Sequence, residues 1–386
     1  MGHQIEKQGK QTKQAKQAEQ ERHATRPCLR ECLNLAVFIA IIGALSILSL
    51  VIKPPAILIS ERRPPAPMPA FSTNAVVAGS FMSNFEKYAA DRFICRESFR
   101  TLKAAAVFGV FLQTDKSGLY FGDAGAGEFK PLDPVSAKQS AEKIRKAADA
   151  LQDCRIYYSL VPDKSIYAGK YLPGFDLESA EALLADVLGG LTYIPLADCL
   201  DASCFYRTDL HWDQARIDSV VDRLGEAMGA THDLGGYSQM VAGSFQGVYA
   251  GQMALPMARD LMRYQVLPTL QARRLNDSTL QFEECPVYDL ERFAGVDPYD
   301  IFLLGPQAVV ELENPSAAGG DLYLFRDSYG SSLAPLLAGA YRRVTLIDLR
   351  YIDIRVLDQF VDIRPGADVL FLYSSQILNN PSVLRV

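Results

Sequence analysis

The longest apolar run in the chain is Leu33 to Ile52, 20 residues without a charge. As a helix it spans about 30 Å, the thickness of a bilayer's hydrocarbon core. It is long for a signal-peptide core, and Lys53-Pro54-Pro55 follows it in place of a small-residue cleavage pattern. The pattern predicts an uncleaved anchor over 32–53; a buried core helix is the alternative. Residues 1–31 are polar and rich in Gln, Lys and Ala. Residues 54–75 read as a stiff spacer, with Pro54, Pro55, Pro64, Pro65, Pro67 and Pro69 in its first part.

Periodicity resumes in the body, 76–386. Apolar positions from Phe81 to Phe111 recur at helical spacing and predict one or two amphipathic helices. Lys116 to Gly122 reads as a short strand between glycines and 136–152 as a helix. Arg155 to Val161 reads as a buried strand, followed by Pro162-Asp163-Lys164 and a short helix. Further on, 177–190 is helical, Leu191 to Pro195 a strand, and Asp213 to Met228 a helix. Residues 231–300 show no clean period and predict loops and irregular strands. Alternation then returns: strand Leu322 to Phe325, helix Ser328 to Ala340, strand Arg343 to Ile347, helix Asp353 to Val361, strand Ala367 to Tyr373. Strands separated by helices of about ten residues predict an α/β fold, its parallel sheet covered on both faces.

Charge adds direction. Residues 1–53 hold eight Lys/Arg and four Asp/Glu, a net +4, whereas the whole chain is −6. Seven of those basic residues precede the apolar run: Lys7, Lys10, Lys13, Lys16, Arg22, Arg26 and Arg30. The positive-inside rule therefore expects a cytoplasmic N-terminus and an extracytoplasmic body. An acidic body argues against nucleic acid as partner. With 49% hydrophobic residues the chain has ample core material and is not disordered as a whole. Cys199 and Cys204 are close enough in sequence to bridge a small loop, or are simply buried thiols. No Cys-x-x-Cys pair and no Cys/His set with zinc spacing occurs, so neither a metal nor another cofactor is expected.

The candidate chemistry lies in Tyr206-Arg207-Thr208-Asp209-Leu210-His211-Trp212, which holds the only Trp. Side chains at i and i+2 of an extended or tightly turned segment point the same way, so Asp209 can orient the His211 imidazole for general-base work. Alternatively, Asp209 caps the next helix and His211 is a satisfied core histidine. His232 has no partner pattern. A base needs a nucleophile, and Ser328 suits: it sits just after a buried strand and opens a helix. Sites in α/β sheets form beyond strand carboxyl ends, and a helix N-terminus favours an oxyanion. The competing role for Asp327 or Ser328 is a plain N-cap. Tyr373, at the end of the last strand, could line a substrate pocket or be an ordinary core tyrosine.

Thr208-Asp209-Leu210-His211-Trp212, followed by Phe325-Arg326-Asp327-Ser328-Tyr329-Gly330, resembles the DHHW protein family. These are relatives of the alginate O-acetyltransferase proteins of the AlgJ/AlgX type within the SGNH-hydrolase superfamily. The likeness runs roughly from 80 to 380 and departs at Leu210, where the family name implies His; in the alginate proteins that position varies. It implies an SGNH-hydrolase-like three-layer sandwich with a mostly parallel central sheet. It implies Ser328 as nucleophile, His211 as general base and Asp209 as its orienting acid. It implies O-acetylation of a cell-surface or exported polysaccharide, with acetyl groups supplied by a membrane acyltransferase of the MBOAT type. The same site with water as acceptor would be an acetylesterase. Without catalysis, the body would be a glycan-binding or scaffold subunit of an envelope complex.

Overall fold

The computed structural model describes residues 29–386 apart from 152, 170, 171 and 173. The polar tail 1–28, with six of the seven basic residues and Cys28, lies outside the described residues. The chain divides into two compact units. The first takes Met1–Leu58, where described, with Pro64–Phe99; the second takes Ile59–Arg63 with Arg100–Val386.

In the first unit the apolar run forms the helix Leu29–Val51. Its Arg30–Ser49 window is only 6% buried, and it is long and apolar enough to cross a membrane. Its C-terminal end is held, with Ser49 Oγ donating to Leu45 O and accepting the Ile94 amide. The expected helical stretch from Phe81 resolves into helices Ser80–Arg92 and Arg96–Ala105 and a π-helical turn at Ala106–Val110. The expected spacer is not uniformly extended. Ile59–Glu61 makes a 3-10 turn and Thr73–Val77 a short helix capped by Ser72.

Among its described residues the second unit carries thirteen short strands: β1 Asp115–Lys116, β2 Leu119–Gly122, β3 Gly125–Glu128, β4 Arg155–Val161, β5 Thr192–Tyr193, β6 Ser238–Phe245, β7 Asp260–Val266, β8 Gln271–Leu275, β9 Phe282–Cys285, β10 Val309–Glu313, β11 Gly319–Arg326, β12 Tyr341–Ile347 and β13 Asp368–Ser374. Eight make the main sheet, in the order β5-β4-β13-β11-β12-β10-β8-β9. From β5 to β12 every pairing is parallel; β10, β8 and β9 continue it antiparallel.

Period-two alternation splits the central strands between two cores. Leu322, Leu324, Leu370 and Leu372 face one side, where they meet Val220, Leu224, Leu333 and Leu336 from helices Asp218–Met228 and Ser328–Leu337. Tyr323, Phe325, Val369 and Phe371 face the other, against Ala141, Ile144, Ala180 and Leu184 from helices Pro134–Asp149 and Leu177–Val187. Each fully buried Leu or Phe contributes about 1.5–3 kcal/mol. Helices thus cover both faces of a mostly parallel sheet.

Four expectations change. Lys116 to Gly122 is two strands, because Ser117 and Gly118 both take positive φ and reverse the chain. Asp213 to Met228 breaks at Ile217 into a 3-10 turn, Gln214–Arg216, and the α-helix Asp218–Met228. Asp353 to Val361 is a 3-10 helix, Ile354–Gln359. Cys199 and Cys204 are free thiols.

Candidate active site

Parallel pairing brings the carboxyl ends of β4, β13, β11 and β12 to one edge, and the segments that follow them, beginning at Pro162, Ser375, Asp327 and Asp348, share it. The 205–212 loop is built toward that edge by its own backbone. Phe205 and Trp212 pair as an antiparallel bridge, Tyr206 N–H donates to His211 O at 3.1 Å, and Asp213 N–H to Cys204 O at 2.8 Å. Two buried charges finish it. The Lys164 ammonium donates to the carbonyls of Ala126, Tyr206 and Asp209 at 2.6, 2.6 and 2.9 Å. Asp260 accepts the Arg207 and Thr208 amides at 2.8 and 2.7 Å and the Thr208 hydroxyl at 2.5 Å. Gly247 packs so tightly that a Cβ would lie 2.3 Å from Thr208 O, and its N–H donates to Thr208 Oγ1 at 2.7 Å.

Asp209 is fully buried. One carboxylate oxygen accepts His211 Nδ1–H at 2.7 Å and the His211 amide at 3.2 Å. The other accepts the Val248 amide at 3.0 Å and pairs with Arg62 Nη2 at 3.1 Å. Burial alone would raise the pKa of this carboxyl. The bond and charge of His211, the Arg62 charge and the Val248 amide outweigh it and hold the group well below the usual carboxylate range. Being ionised, Asp209 keeps the proton on His211 Nδ1, which leaves Nε2 to accept from Ser328 Oγ, 2.8 Å away. The Tyr299 ring lies flat on the imidazole, 3.7 Å between centroids and 7° from parallel. Its hydroxyl donates to Ser332 Oγ at 2.7 Å, and Trp212 Nε1–H donates to the same oxygen at 2.8 Å.

Ser328 begins its helix and is half-buried among buried neighbours. Asp327 does cap that helix, accepting Tyr329 N–H at 3.0 Å and, through its other oxygen, Ser374 N–H at 2.8 Å. Capping by Asp327 and a half-buried Ser328 bonded to His211 are thus compatible. A Cβ on Gly330 would lie 2.5 Å from Arg326 Cβ, so this first turn requires glycine.

Asp209, His211 and Ser328, from positions 117 residues apart at the His–Ser contact, thus form one hydrogen-bonded line. The caps of the downstream helical turns fall to other residues, Asp213 to Ala215 N–H among them. Tyr373 is 2% exposed and sits in the core beneath the sheet edge, its hydroxyl without a hydrogen-bond partner among the described residues. His232 packs its ring against Gly225, and burial moves it below 6.5. Among the described residues no group of three His, Cys, Asp or Glu could hold a metal ion. Sequence reasoning missed Lys164, Asp260, Tyr299 and Arg62. Only Lys164 carried a signal, a lysine in the tight Pro-Asp-Lys turn directly after a buried strand.

A hydroxyl bonded to an imidazole that is bonded to a buried carboxylate is the arrangement by which serine-dependent acyl-transfer proteins take the hydroxyl's proton. No family model and no curated protein matches the sequence. Among solved structures the chain is similar to a DHHW family protein from Eubacterium siraeum, with TM-score 0.55 and 17% identity, covering 70% of this chain and 94% of that one. It is similar to Bacillus cereus PatB1, with TM-score 0.55 and 15% identity, covering 69% of this chain and 99% of that one. The same protein with a sulfonyl adduct gives TM-score 0.52 and 15% identity, covering 67% and 95%. At these identities the likeness is one of fold, and it extends to the fold the DHHW resemblance carried by the motifs.

Proposed function

We propose that this protein is a membrane-anchored O-acetyltransferase acting outside the cytoplasm on a cell-surface or exported polysaccharide, with an SGNH-hydrolase-like body. The observation that carries the reading is the line Asp209–His211–Ser328, with spacings of 2.7 and 2.8 Å, at the carboxyl edge of parallel strands. His211 Nε2 takes the Ser328 proton as Oγ bonds to an acetyl carbonyl carbon. The tetrahedral oxyanion collapses, the donor's oxygen leaves with the proton from His211, and acetyl-Ser328 remains. The positive end of the helix beginning at Ser328, including the Ser328 N–H, faces the oxyanion. A sugar hydroxyl then gives its proton to His211 and its oxygen to the acetyl carbon, and Ser328 Oγ leaves, regaining a proton. The apolar helix Leu29–Val51 would anchor the chain with its basic tail in the cytoplasm. An MBOAT-type membrane acyltransferase is the proposed acetyl supplier, since acetyl-CoA is confined to the other side.

The test uses the full-length protein in detergent with p-nitrophenyl acetate and intact-mass spectrometry. The expected result is one acetyl adduct on Ser328, lost in Ser328→Ala and strongly slowed in His211→Ala. A protein that takes up no acetyl group would instead be a glycan-binding or scaffold subunit. Transfer of the adduct to an added oligosaccharide separates a transferase from an esterase, which releases only acetate.

A further inference from the structure

Residues 59–63 come from the proline-rich stretch that the sequence marks as a spacer, yet they belong to the unit that holds the candidate site. Their seat there is specific. The Arg100 guanidinium reaches Ser60 Oγ at 3.1 Å, Glu61 Oε1 at 3.0 Å and the carbonyls of Gly251 and Gln252 at 3.0 and 2.9 Å. Gly251 lies so close that a Cβ would fall 1.9 Å from Ser60 O. The turn ends on Arg62, which takes φ of 51°, a left-handed conformation a non-glycine residue adopts at a cost. That conformation is held while the side chain, 11% exposed, meets Asp209 Oδ2 at 3.1 Å through Nη2 and Asp297 Oδ1 at 2.8 Å through Nη1. Asp297 in turn accepts the Tyr299 amide at 3.0 Å and so fixes the ring stacked on His211.

We infer that Arg62 is a positioning residue of the site: it clamps the acid behind His211 to the turn that carries Tyr299, and so couples the seating of the Ile59–Arg63 segment to the reactivity of Ser328. The inference rests on the reading of Asp209, His211 and Ser328 as an acyl-transfer line. A guanidinium suits the task because its rigid planar fork fixes the geometry of two carboxylates, whereas an ammonium is a point charge on a flexible stem. Its positive charge also opposes protonation of the imidazole across the shared carboxylate. Without it, Asp209 would draw a proton onto His211 more strongly, and base catalysis would fail at a higher pH.

Other groups face this pair and must be separated from Arg62. Lys164 and Asp260 approach from behind the 205–212 loop, Tyr206 lies in the loop and Tyr249 follows β6. Asp297, Tyr299 and Asp300 come from one turn, and Asp327 and Tyr329 from the Ser328 helix. Asp300 is the one that could mimic the effect, because burial and Asp297 raise it to about 6 while Arg62 and His211 lower it.

The experiment measures the rate of Ser328 acetylation by p-nitrophenyl acetate against pH, on the full-length protein in detergent. Arg62→Gln is expected to move the acid limb up by about one pH unit, with a plateau about tenfold lower. Arg62→Lys restores the limb but not the plateau, because charge returns without the two-carboxylate fork. Asp297→Asn keeps the cap on Tyr299 and moves the limb the other way. The Arg62→Gln shift persists in an Asp300→Asn background. An unshifted limb in Arg62→Gln, or a shift lost with Asp300→Asn, overturns the inference. A wild-type chain that is never acetylated at Ser328 overturns instead the acyl-transfer reading beneath it.

Discussion

Replacing Lys164 by Met tests how the 205–212 loop is held. The side chain is 4% exposed and its ammonium donates to three carbonyls from two separate segments. Methionine keeps the length of the stem and removes every donor. A hydrogen bond to a charged group contributes about 1.5–3 kcal/mol, so three give a gross loss of about 4–9 kcal/mol. Against that stands relief from burying the ammonium, several kcal/mol. The pull of Asp209 and Asp260 on the cation is lost as well. One-sided removal of a buried charge costs about 3–5 kcal/mol net, and about 3 is expected here below pH 7, where the ammonium keeps its proton. At about 2–4 °C per kcal/mol for a domain of this size, the melting temperature falls by about 6–12 °C. Trp212, the only tryptophan and fully buried, reports the transition by fluorescence. The pH dependence supplies a second readout. Burial pulls Lys164 down to about 7, with Asp209 and Asp260 pulling upward. Between about 7 and the ordinary 10.5 the unfolded chain then holds one proton more than the folded one. Stability attributable to this group therefore climbs as pH rises through that window, and the Met variant lacks the climb. A variant that melts within about 1 °C of wild type, with the same pH dependence, would refute the assignment of the ammonium as the loop's anchor.

Asp209→Asn keeps the shape of the site but frees His211 to adopt the other tautomer. Acetylation of Ser328 is expected to slow by about 10²–10⁴-fold with the far-UV circular dichroism unchanged. Gly247→Ala drives a Cβ to 2.3 Å from Thr208 O; a loss of about 2–4 kcal/mol in urea denaturation is expected, with acetylation falling in parallel. Tyr299→Phe keeps the ring on His211 and removes only the donor to Ser332, so it should lower stability by about 1 kcal/mol and leave acetylation within about threefold. Asp260→Asn retains the geometry but not the charge that accepts two amides and a hydroxyl. It should cost about 1–3 kcal/mol, read from the same denaturation curve.

What the sequence made legible is what depends on periodicity and on short motifs. β4, β11, β12 and β13 lie in a sheet covered on both faces and are mostly buried, so their apolar runs stand out against the loops. Spacing and element boundaries marked Asp209, His211 and Ser328 as candidates, with an N-cap and a core histidine as alternatives; their roles came from the DHHW resemblance. The antiparallel half of the sheet was not. β8, Gln-Ala-Arg-Arg-Leu, and β9, Phe-Glu-Glu-Cys, carry charges at positions where they pair across the sheet, Arg274 with Glu283 and Arg273 with Glu311. Such pairing is long-range information, invisible in a window of residues. The helix expected from Asp213 failed for a long-range reason as well: Gln214 spends its side chain on Tyr288, Ser332 and Gln265, and the chain bends at Ile217.

Three of the four residues missed around the site share one cause. Arg62, Lys164 and Asp260 are charges buried against partners about 40 to more than 230 positions away in sequence. A buried ion is tolerated only when paired and hydrogen-bonded, so each is explained by the others and by none of its own neighbours. Asp209 faces Arg62 on one side, its own carbonyl faces Lys164, and Asp260 closes the loop behind. Any one of these charges alone would be ejected to solvent or neutralised. Together they hold an ionised carboxylate beneath a histidine that the rest of the chain keeps almost dry, 4% exposed. That carboxylate is shared: one oxygen serves His211, and the other takes the Val248 amide and the Arg62 guanidinium, so two residues outside the motif set the charge that sits behind the imidazole.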